Sequence, residues 1–584
     1  IVRYALSRHM ADDVGASPED VRIRVLSDQV DRLLEPRHSS RDNSLSSDAM
    51  FKRLRQTLDK LSIAAQGLET LPLRITALHF SGPGGRFTHE HPPTLHTLLG
   101  GIEPGRNETG QASSIISPHP VLMTVESSGR WPDDLGAIKK VKTAFLCQLG
   151  KALRKIEIKS VANREHLDVL YEGYAFRLRL VCDRERELLE IGSSVVPVIV
   201  AGRRKLVYEN AVHIDQKEAT ARLRSLRIRD DISLLHTSLI HNLNTSNLIF
   251  GKVARLAKLW LHAKMLSDVF PMEVVELMVA SLFVDPSCRP HEPPASAISG
   301  FVRFLNLLAT FEWDYEPLIV DLNGSITDPE VLQVEKVFEA QQQLTGGGKT
   351  NTNSTTACFV VAPYDRAQQW SPSWLENGRI NMVGMKRAIG LAQEACVLDQ
   401  HIVSAKFWRK MFSSCPLSEY DAVIHLFPEA MSCEYPALTL SKDEVGKKRK
   451  GDVRTEGNSG EQPKGKMFRI RTYKNLLAKD IHDTLLFGFD PFSEYINLLK
   501  KNFGHLAMFF RNSLSGSCIG ILWNAAAFQP APFKVSASRF AIPSHQFKLD
   551  SGESFDDTIV PNQNELVGEM LLLGKGFAER LEHM

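Results

Sequence analysis

The sequence predicts a multidomain α+β chain: a mixed strand–helix unit, an almost purely helical unit, and a second mixed unit. Three observations point there. At 584 residues the chain is too long for one hydrophobic core, and its length suggests about four units. Tyr174 to Leu180 alternates Tyr, Phe, Leu and Leu with Ala and two arginines, the period-two pattern of a half-buried strand. From Ile232 to Phe311 almost every apolar residue recurs at helical spacing. A hydrophobic share of 43% and a charged share of 24% are ordinary for a globular protein, which excludes a wholly disordered chain, a collagen and a disulfide miniprotein.

Taken in order, residues 1–50 read as broken helix turning polar, and Pro36 to Asp48, rich in Ser, Arg and Asp, reads as a loop. A helix is expected from Ala49 to Ala65, then a strand over Leu71–Leu78 by alternation. Residues 82–119 hold Gly, Pro and His in quantity and read as a long loop. Val121–Val125 is a compact apolar strand, and Pro132, Asp133 and Asp134 open a helix with Ile138, Val141, Phe145, Leu149 and Leu153 on one stripe. Glu172-Gly173 marks a hairpin between Leu167–Leu170 and Tyr174–Val181. In the helical unit, Val253, Leu256, Ala257 and Trp260 form an apolar face, and Lys252, Arg255, Lys258 and His262 a basic one. Val274–Phe283 is apolar nearly all round and reads as a buried helix; Phe301, Phe304, Leu305 and Leu308 keep the i, i+3, i+4, i+7 spacing. Residues 341–356 and 442–466 read as flexible low-complexity loops, and a last helix is expected near Leu566–Leu581.

Lys+Arg 70 against Asp+Glu 68 leaves +2, so nucleic-acid binding must use local patches rather than a whole-protein field. The eight cysteines, at 147, 182, 288, 358, 396, 415, 433 and 518, include no Cys-x-x-Cys pair, and read as reduced, mostly buried thiols of an intracellular protein. No apolar run reaches the roughly 18 residues of a spanning helix. The chain opens Ile1-Val2-Arg3 inside helix-like sequence, without the charged and apolar regions of a signal peptide, which suggests that sequence precedes it.

Several patterns invite a chemical reading. Gly346-Gly347-Gly348-Lys349-Thr350 ends like a phosphate-cradling loop, but position 343 is Gln where the motif needs Gly, so it reads as linker. His89-Glu90-His91, with His96, lies in a Pro-rich stretch without metal-ligand spacing and reads as solvated loop. Asp183/Glu185 and Asp314/Glu316 have the two-residue spacing of metal-binding carboxylates, yet the first pair is interleaved with arginines at the end of a strand and reads as a charged surface turn, and the second sits between a helix and Pro317. Nothing resembles G-x-S-x-G. The candidate phosphate-binding cations are Lys139, Lys140 and Lys142 on one helix, Arg177 and Arg179 on one strand face, and Lys252, Arg255 and Lys258 on one helix face. A solvated charged face fits each cluster taken alone. Lys447-Lys448-Arg449-Lys450 has the composition of a nuclear import signal, and a plain charged loop fits it equally.

An ordered set of segments resembles a known family. Glu126-Ser127-Ser128-Gly129-Arg130-Trp131-Pro132-Asp133-Asp134 comes first, then Val253–Trp260, Met272–Ala280, Gly300–Leu305, Trp313–Val320, Ala362-Pro363-Tyr364-Asp365, Gly488-Phe489-Asp490-Pro491, Phe509-Phe510 and Ile519–Trp523. Together they resemble the Nrap, or nucleolar protein six, family of nucleolar RNA-associated proteins, over about residues 46–530. The helical segments also resemble the domain that follows the catalytic domain in poly(A) polymerases and oligoadenylate synthetases (PAP/OAS). The family has two tandem halves, and this chain resembles the second. The resemblance implies the end of an upstream domain at 1–45, a degenerate nucleotidyltransferase-like α/β domain at 46–225, a PAP/OAS-like helical domain at 226–401, and a C-terminal α/β domain at 402–584.

It also implies a job: a scaffold of the small-subunit processome in nucleolar pre-rRNA processing, partnered by pre-rRNA, processome proteins including a small subcomplex partner, and casein kinase two, with a link to tRNA export and no membrane. The family is regarded as catalytically dead. Active members of the superfamily carry an apolar-Gly-Ser, then a D-h-[DE] strand, and a third carboxylate from another strand. Here Ile191-Gly192-Ser193 is followed by Ala201–Tyr208 without an acid, and after Val121–Val125 comes Glu126 with Ser128 at i+2. The expectation is therefore no catalytic residue, no metal and no cofactor. Two alternatives stay open: an active RNA nucleotidyltransferase with displaced carboxylates, drawn from Glu126, Asp168 and Asp183, and a hub that binds only proteins.

Overall fold

The computed structural model describes residues 34, 46–93, 95, 115–129, 131–193, 196–200, 203–207, 216–284, 292–346, 357–375, 380–397, 411–413, 416–427, 486–488, 490–514, 516–532, 541–543 and 558–583. The expected upstream end at 1–45 lies outside them apart from Leu34, and the loop 442–466 lies outside them altogether. The chain divides into two compact units, the first of 1–112, 117–260 and 269–408, the second of 113–116, 261–268 and 409–584.

The first unit opens with helix α1 (Ser47–Gln66), whose N-cap Ser46 accepts from the Ala49 amide. Strand β1 (Ile75–Phe80) leads into the short helix α2 (Pro83–Arg86), and β2 (His119–Val125) leads to helix α3 (Leu135–Lys155), capped by Asp134. Then come β3 (Lys159–Ala162), β4 (Leu167–Tyr171) and β5 (Tyr174–Leu180). The five strands form one mixed sheet in the order β1-β2-β5-β4-β3; β2 and β5 are parallel and the other pairs antiparallel. One face takes Val121, Met123, Phe176, Leu178, Leu167 and Val169 and packs on Leu54, Leu58 and Leu61 of α1 and Phe145, Leu149 and Leu153 of α3. Leu54, Leu61, Leu149, Leu153 and Phe176 keep no exposed surface, so by area each contributes about 1.5–3 kcal/mol.

The β4–β5 hairpin turns through Glu172 (φ 45°) and Gly173 (φ 84°), the two left-handed positions a type I′ turn requires. Pro72, which has no N–H to give a ladder, lies outside the first strand, which begins at Ile75 rather than Leu71. Val141 is 41% exposed and leaves the α3 stripe, where Leu146 takes part instead. Asp183 and Glu185 lie in the first turn of helix α4 (Asp183–Ser193) rather than in a surface turn, acids suiting a helix N-terminus.

Helix α5 (Gln216–Leu226) passes through a π-helical turn at Arg227–Ile232 into α6 (Ser233–Ser246). Helices α7 (Phe250–Ala263), α8 (Met272–Ala280) and α9 (Ala297–Thr310) follow, with Phe301, Phe304, Leu305 and Leu308 buried as their spacing predicts. Helix α10 (Asp328–Gly346) runs through the first part of the expected loop 341–356; the remainder of that loop lies outside the described residues. Helix α11 spans Met382–Val397. Among the described residues no helix is long and apolar enough to cross a membrane.

The second unit has an antiparallel sheet of β6 (Ala422–Leu426), β7 (Ala507–Arg511), β8 (Cys518–Trp523) and β9 (Ala578–His583), ordered β7-β8-β6-β9. Helices α12 (Pro491–Phe503) and α13 (Gln563–Leu573) add Tyr495, Leu499, Leu566 and Met570 to its core. The expected final helix stops at Leu573: Gly574 caps it, Gly576 turns the chain at φ 98°, and the rest pairs as β9.

Candidate functional site

The sheet of the first unit has one face packed on α1 and α3, and strand alternation puts the remaining residues on the other. Register fixes who stands beside whom there: Pro120 of β2 is opposite Arg177 of β5, Leu122 opposite Arg179, and Arg177 opposite Asp168 of β4. A metal-binding D-h-[DE] pair would occupy two same-face positions of one strand. Strand β2 reads His-Pro-Val-Leu-Met-Thr-Val and carries no acid on either face. The five strands hold a single carboxylate, Asp168. It accepts from Arg177 Nε at 2.8 Å and Nη2 at 3.0 Å, and His166 Nε2 lies 3.5 Å away. Burial works to raise the Asp168 pKa, but the His166 and Arg177 hydrogen bonds override it and hold the group below its ordinary value.

The other two acids of the displaced-carboxylate alternative do not join it. Glu126 is exposed past the end of β2, where its carboxylate accepts from the Arg74 amide at 3.2 Å. Asp183 is 83% exposed on α4, with Arg186 3.7 Å away. Among the described residues no three His, Cys, Asp or Glu side chains come together to hold a metal. The residues of this face do not fit a divalent cation, which takes carboxylate oxygens: β2 offers Pro120 and Leu122 there, and β5 offers two arginines. A strand followed by a glycine turn and a helix does exist, but at Ile75–Arg86 ahead of β2; Ile191-Gly192-Ser193 closes α4 instead.

The predicted cations part company. Lys139 and Lys140 are exposed on α3. Lys142, on the same helix, is tied to Glu185 at 2.8 Å with both side chains mostly buried. Arg177 and Arg179 are half-buried on the open sheet face, as alternation predicted. The basic face of α7 requires correction. Lys258 is fully buried, donating to Glu276 Oε1 at 2.7 Å and to the Thr88 carbonyl at 2.8 Å. Arg255 is buried too, its guanidinium 5.3 Å from the Phe51 ring centre, and only Lys252 keeps partial exposure. Nearly every residue of α7 is buried, so its polar residues face packed neighbours rather than water. His91 and Glu90 are likewise buried, against the expectation of solvated loop histidines. Lys447, Lys448, Arg449 and Lys450 lie outside the described residues.

Glu276 is the centre of a cluster that local sequence reading missed. Arg86, His236, Lys258 and Glu276 are all without exposed surface. Glu276 Oε2 lies 2.8 Å from Arg86 Nε and 2.8 Å from His236 Nε2; Oε1 accepts from Lys258 and, at 2.6 Å, from the Thr88 hydroxyl. Glu273 lies 3.3 Å from Arg86 Nη2. His236 Nδ1 lies 3.0 Å from the Tyr364 hydroxyl, which also accepts from Trp374 Nε1 at 2.9 Å. With Nε2–H given to the carboxylate, Nδ1 accepts from Tyr364; Arg86 Nε meets Glu276 as an ion pair without hydrogen-bond geometry. Burial alone would raise the Glu276 pKa, yet the Arg86 and Lys258 charges and the His236 hydrogen bond hold it well below the usual range. The cluster joins the strand–helix turn after β1 to α6, α7 and α8, and so ties the sheet to the helices. A lone acid in the apolar run Val274–Ala280 was the available signal, since an unpaired charge there is prohibitive.

Three family models match consecutively. Residues 29–245 match the Nrap protein nucleotidyltransferase domain 4, residues 247–414 the Nrap protein PAP/OAS1-like domain 5, and residues 417–581 the Nrap protein domain 6. A curated Xenopus tropicalis protein named Nucleolar protein 6 is 30% identical over 543 residues, 90% of this chain and 42% of that protein. The Homo sapiens protein of that name is 29% identical over 543 residues, 90% of this chain and 41% of its own. The chain thus spans less than half the length of these relatives. Among solved structures, one described as a cytoplasmic RNA terminal U-transferase is 11% identical with a TM-score of 0.35, covering 68% of this chain and 98% of that one. The Cid1 poly(U) polymerase is 10% identical with a TM-score of 0.35, covering 68% and 100%. Likenesses of that size carry no argument about residues. Matched end to end by three successive domains of one family, and by relatives of one name over nine-tenths of its length, the chain belongs to the Nrap family.

Proposed function

We propose that this chain is a non-catalytic scaffold of the small-subunit processome, acting in nucleolar pre-rRNA processing and small ribosomal subunit biogenesis by binding RNA and protein. Its place is the nucleolus, the address that its relatives' name carries. One observation supports the loss of chemistry above all others. Strand β2 bears no acid on either face, its parallel neighbour bears Arg177 and Arg179 beside Pro120 and Leu122, and the sheet's single acid is engaged by Arg177. Without paired carboxylates no metal neutralises charge on a transferred phosphoryl group, and an oriented nucleotide stays unreacted. Pre-rRNA, processome proteins including a small subcomplex partner, and casein kinase two are the partners in this reading.

Primer extension tests it. Purified protein with Mg²⁺ or Mn²⁺, a short RNA primer and each nucleoside triphosphate in turn adds no nucleotide. Extension that disappears in Glu126→Ala or Asp168→Asn overturns the reading in favour of displaced carboxylates. Absence of both extension and RNA binding in a filter assay moves it to a hub that binds only proteins.

A further inference from the structure

Arg179 stands one residue from the end of β5, the central strand of the five, on the face away from α1 and α3. Two other arginines have their charges near it. Arg177 gives its fork to Asp168. Arg229, on the π-helical turn, gives Nε at 2.6 Å and Nη2 at 2.9 Å to buried Asp230. Arg179 has no such carboxylate: among the described residues no acid lies within 4.0 Å of it and no hydrogen bond holds it. It is nonetheless half-buried. Burial lowers its pKa, the Arg229 and Arg177 charges push the same way, and Glu165 and Asp230 pull back.

A guanidinium in that position is costly. It has five N–H donors and stays charged at any relevant pH. Partial burial strips water from those donors, and two like charges oppose it. Side chains that only serve the fold are paired when buried, as Arg177, Arg229 and Arg86 are here. A cation with no acid within 4.0 Å among the described residues, near two cations whose own acids are already taken, is complementary to an anion from outside. Its planar fork matches two oxygens of one phosphate. Leu122, beside it in register on β2, is 1% exposed and leaves no competing carboxylate on that side.

We propose that Arg179, flanked by Arg177 and Arg229, binds a phosphodiester of RNA on the sheet face away from α1 and α3, without a metal ion. The inference rests on the RNA-binding reading above and narrows it to one site and one chemistry. The guanidinium supplies the positive charge that a divalent ion would otherwise supply, so binding is indifferent to chelators.

The test uses the full 584-residue chain and a fluorescent single-stranded RNA, titrated by anisotropy from low to high salt in EDTA and again in Mg²⁺. Wild type is expected to bind equally well in both. Arg179→Met is expected to weaken binding about tenfold or more, the size of a charge-assisted hydrogen-bonded contact, and to reduce the log–log salt slope by about 0.7, one phosphate contact. Arg179→Lys, which keeps charge without the fork, falls between. Without RNA, Arg179→Met melts at or above the wild-type temperature, because an uncompensated buried charge has been removed; a merely structural arginine gives the opposite sign. Wild-type affinity and slope in Arg179→Met overturn the site and leave the RNA reading standing. Absence of RNA binding by the wild type overturns both. Loss of binding only in step with loss of melting temperature, or loss of polyglutamate binding with RNA binding intact, assigns Arg179 to the fold or to a protein acid and overturns the proposal.

Discussion

Replacing Glu276 by Gln changes almost no volume and removes one charge. Its consequences follow from the five contacts that converge on it from four groups, Arg86 twice, Lys258, His236 and the Thr88 hydroxyl, all within 2.6–3.2 Å. An amide has one acceptor oxygen, so its NH₂ end must face two of those donors. Arg86 and Lys258 remain without exposed surface, and Glu273, itself 24% exposed, is the acid left near Arg86. Breaking a buried pair by removing one partner costs about 3–5 kcal/mol, because the other charge stays behind unpaired. Against a domain stability of about 5–15 kcal/mol that is a large fraction. At about 2–4 °C per kcal/mol for large domains, Glu276→Gln is expected to lower the melting temperature of the first unit by roughly 6–20 °C. Far-UV circular dichroism with limited proteolysis measures it. Adding Lys258→Met to Glu276→Gln removes an orphaned cation and is expected to recover about 1 kcal/mol or more, whereas two unrelated lesions would add. A single variant within about 1 kcal/mol of wild type refutes the assignment of Glu276 as the keystone of the cluster.

Three further expectations are more compact. The pKa of His236 is depressed by burial, which outweighs its Glu276 hydrogen bond, and that of His119 is pushed down to about 3 by burial and the nearby His89 charge; the unfolded chain therefore binds protons that the folded one refuses below about pH 6.5, so the melting temperature should fall from pH 8 to pH 5, and a flat profile contradicts it. A Cβ on Gly85 would sit 2.3 Å from Phe80 Cβ, so Gly85→Ala should cost about 1–3 kcal/mol, while Gly390→Ala, in helix α11 with open space around it, should gain about 0.5–1 kcal/mol in the same melts. Changing Lys447, Lys448, Arg449 and Lys450 together to Ala should reduce nuclear accumulation of the chain expressed alone, and unchanged accumulation makes that run a plain charged loop.

Local chemistry made much of the fold legible. Glu172-Gly173 announced its turn because few residues accept positive φ, and Tyr174–Leu180 announced its two faces because a strand's period is two. What failed was the equation of polar with solvated. Lys252, Arg255 and Lys258 share a helix face by period, and a period says nothing of whether that face meets water. The acid that pairs Lys258 is 18 residues on, and Arg86, which shares that acid, is 190 residues before it. No local window contains both. The same limit hid the π-helical turn that brings Arg229 towards the sheet, because each residue there is individually compatible with an ordinary helix.

The positive charge on the sheet face away from α1 and α3 has a physical logic of its own. Two carboxylates on same-face positions of one strand repel, and only a bound cation makes the arrangement favourable. A strand that binds no cation is more stable without such a pair, so Leu122 and Pro120 are unexceptional. Arginine on the neighbouring strand is less easily explained that way. A β-branched residue would serve the sheet better than a half-buried cation. Arg177 is paired with Asp168; among the described residues Arg179 has no acid within 4.0 Å, only the longer-range pull of Glu165 and Asp230. Retaining a destabilising charge beside two others calls for a use, and the use consistent with its geometry is an anion that the chain itself does not provide. The buried Glu276 cluster then has a complementary part, holding the sheet and the helices of its unit in one arrangement so that the anion meets a face of fixed shape.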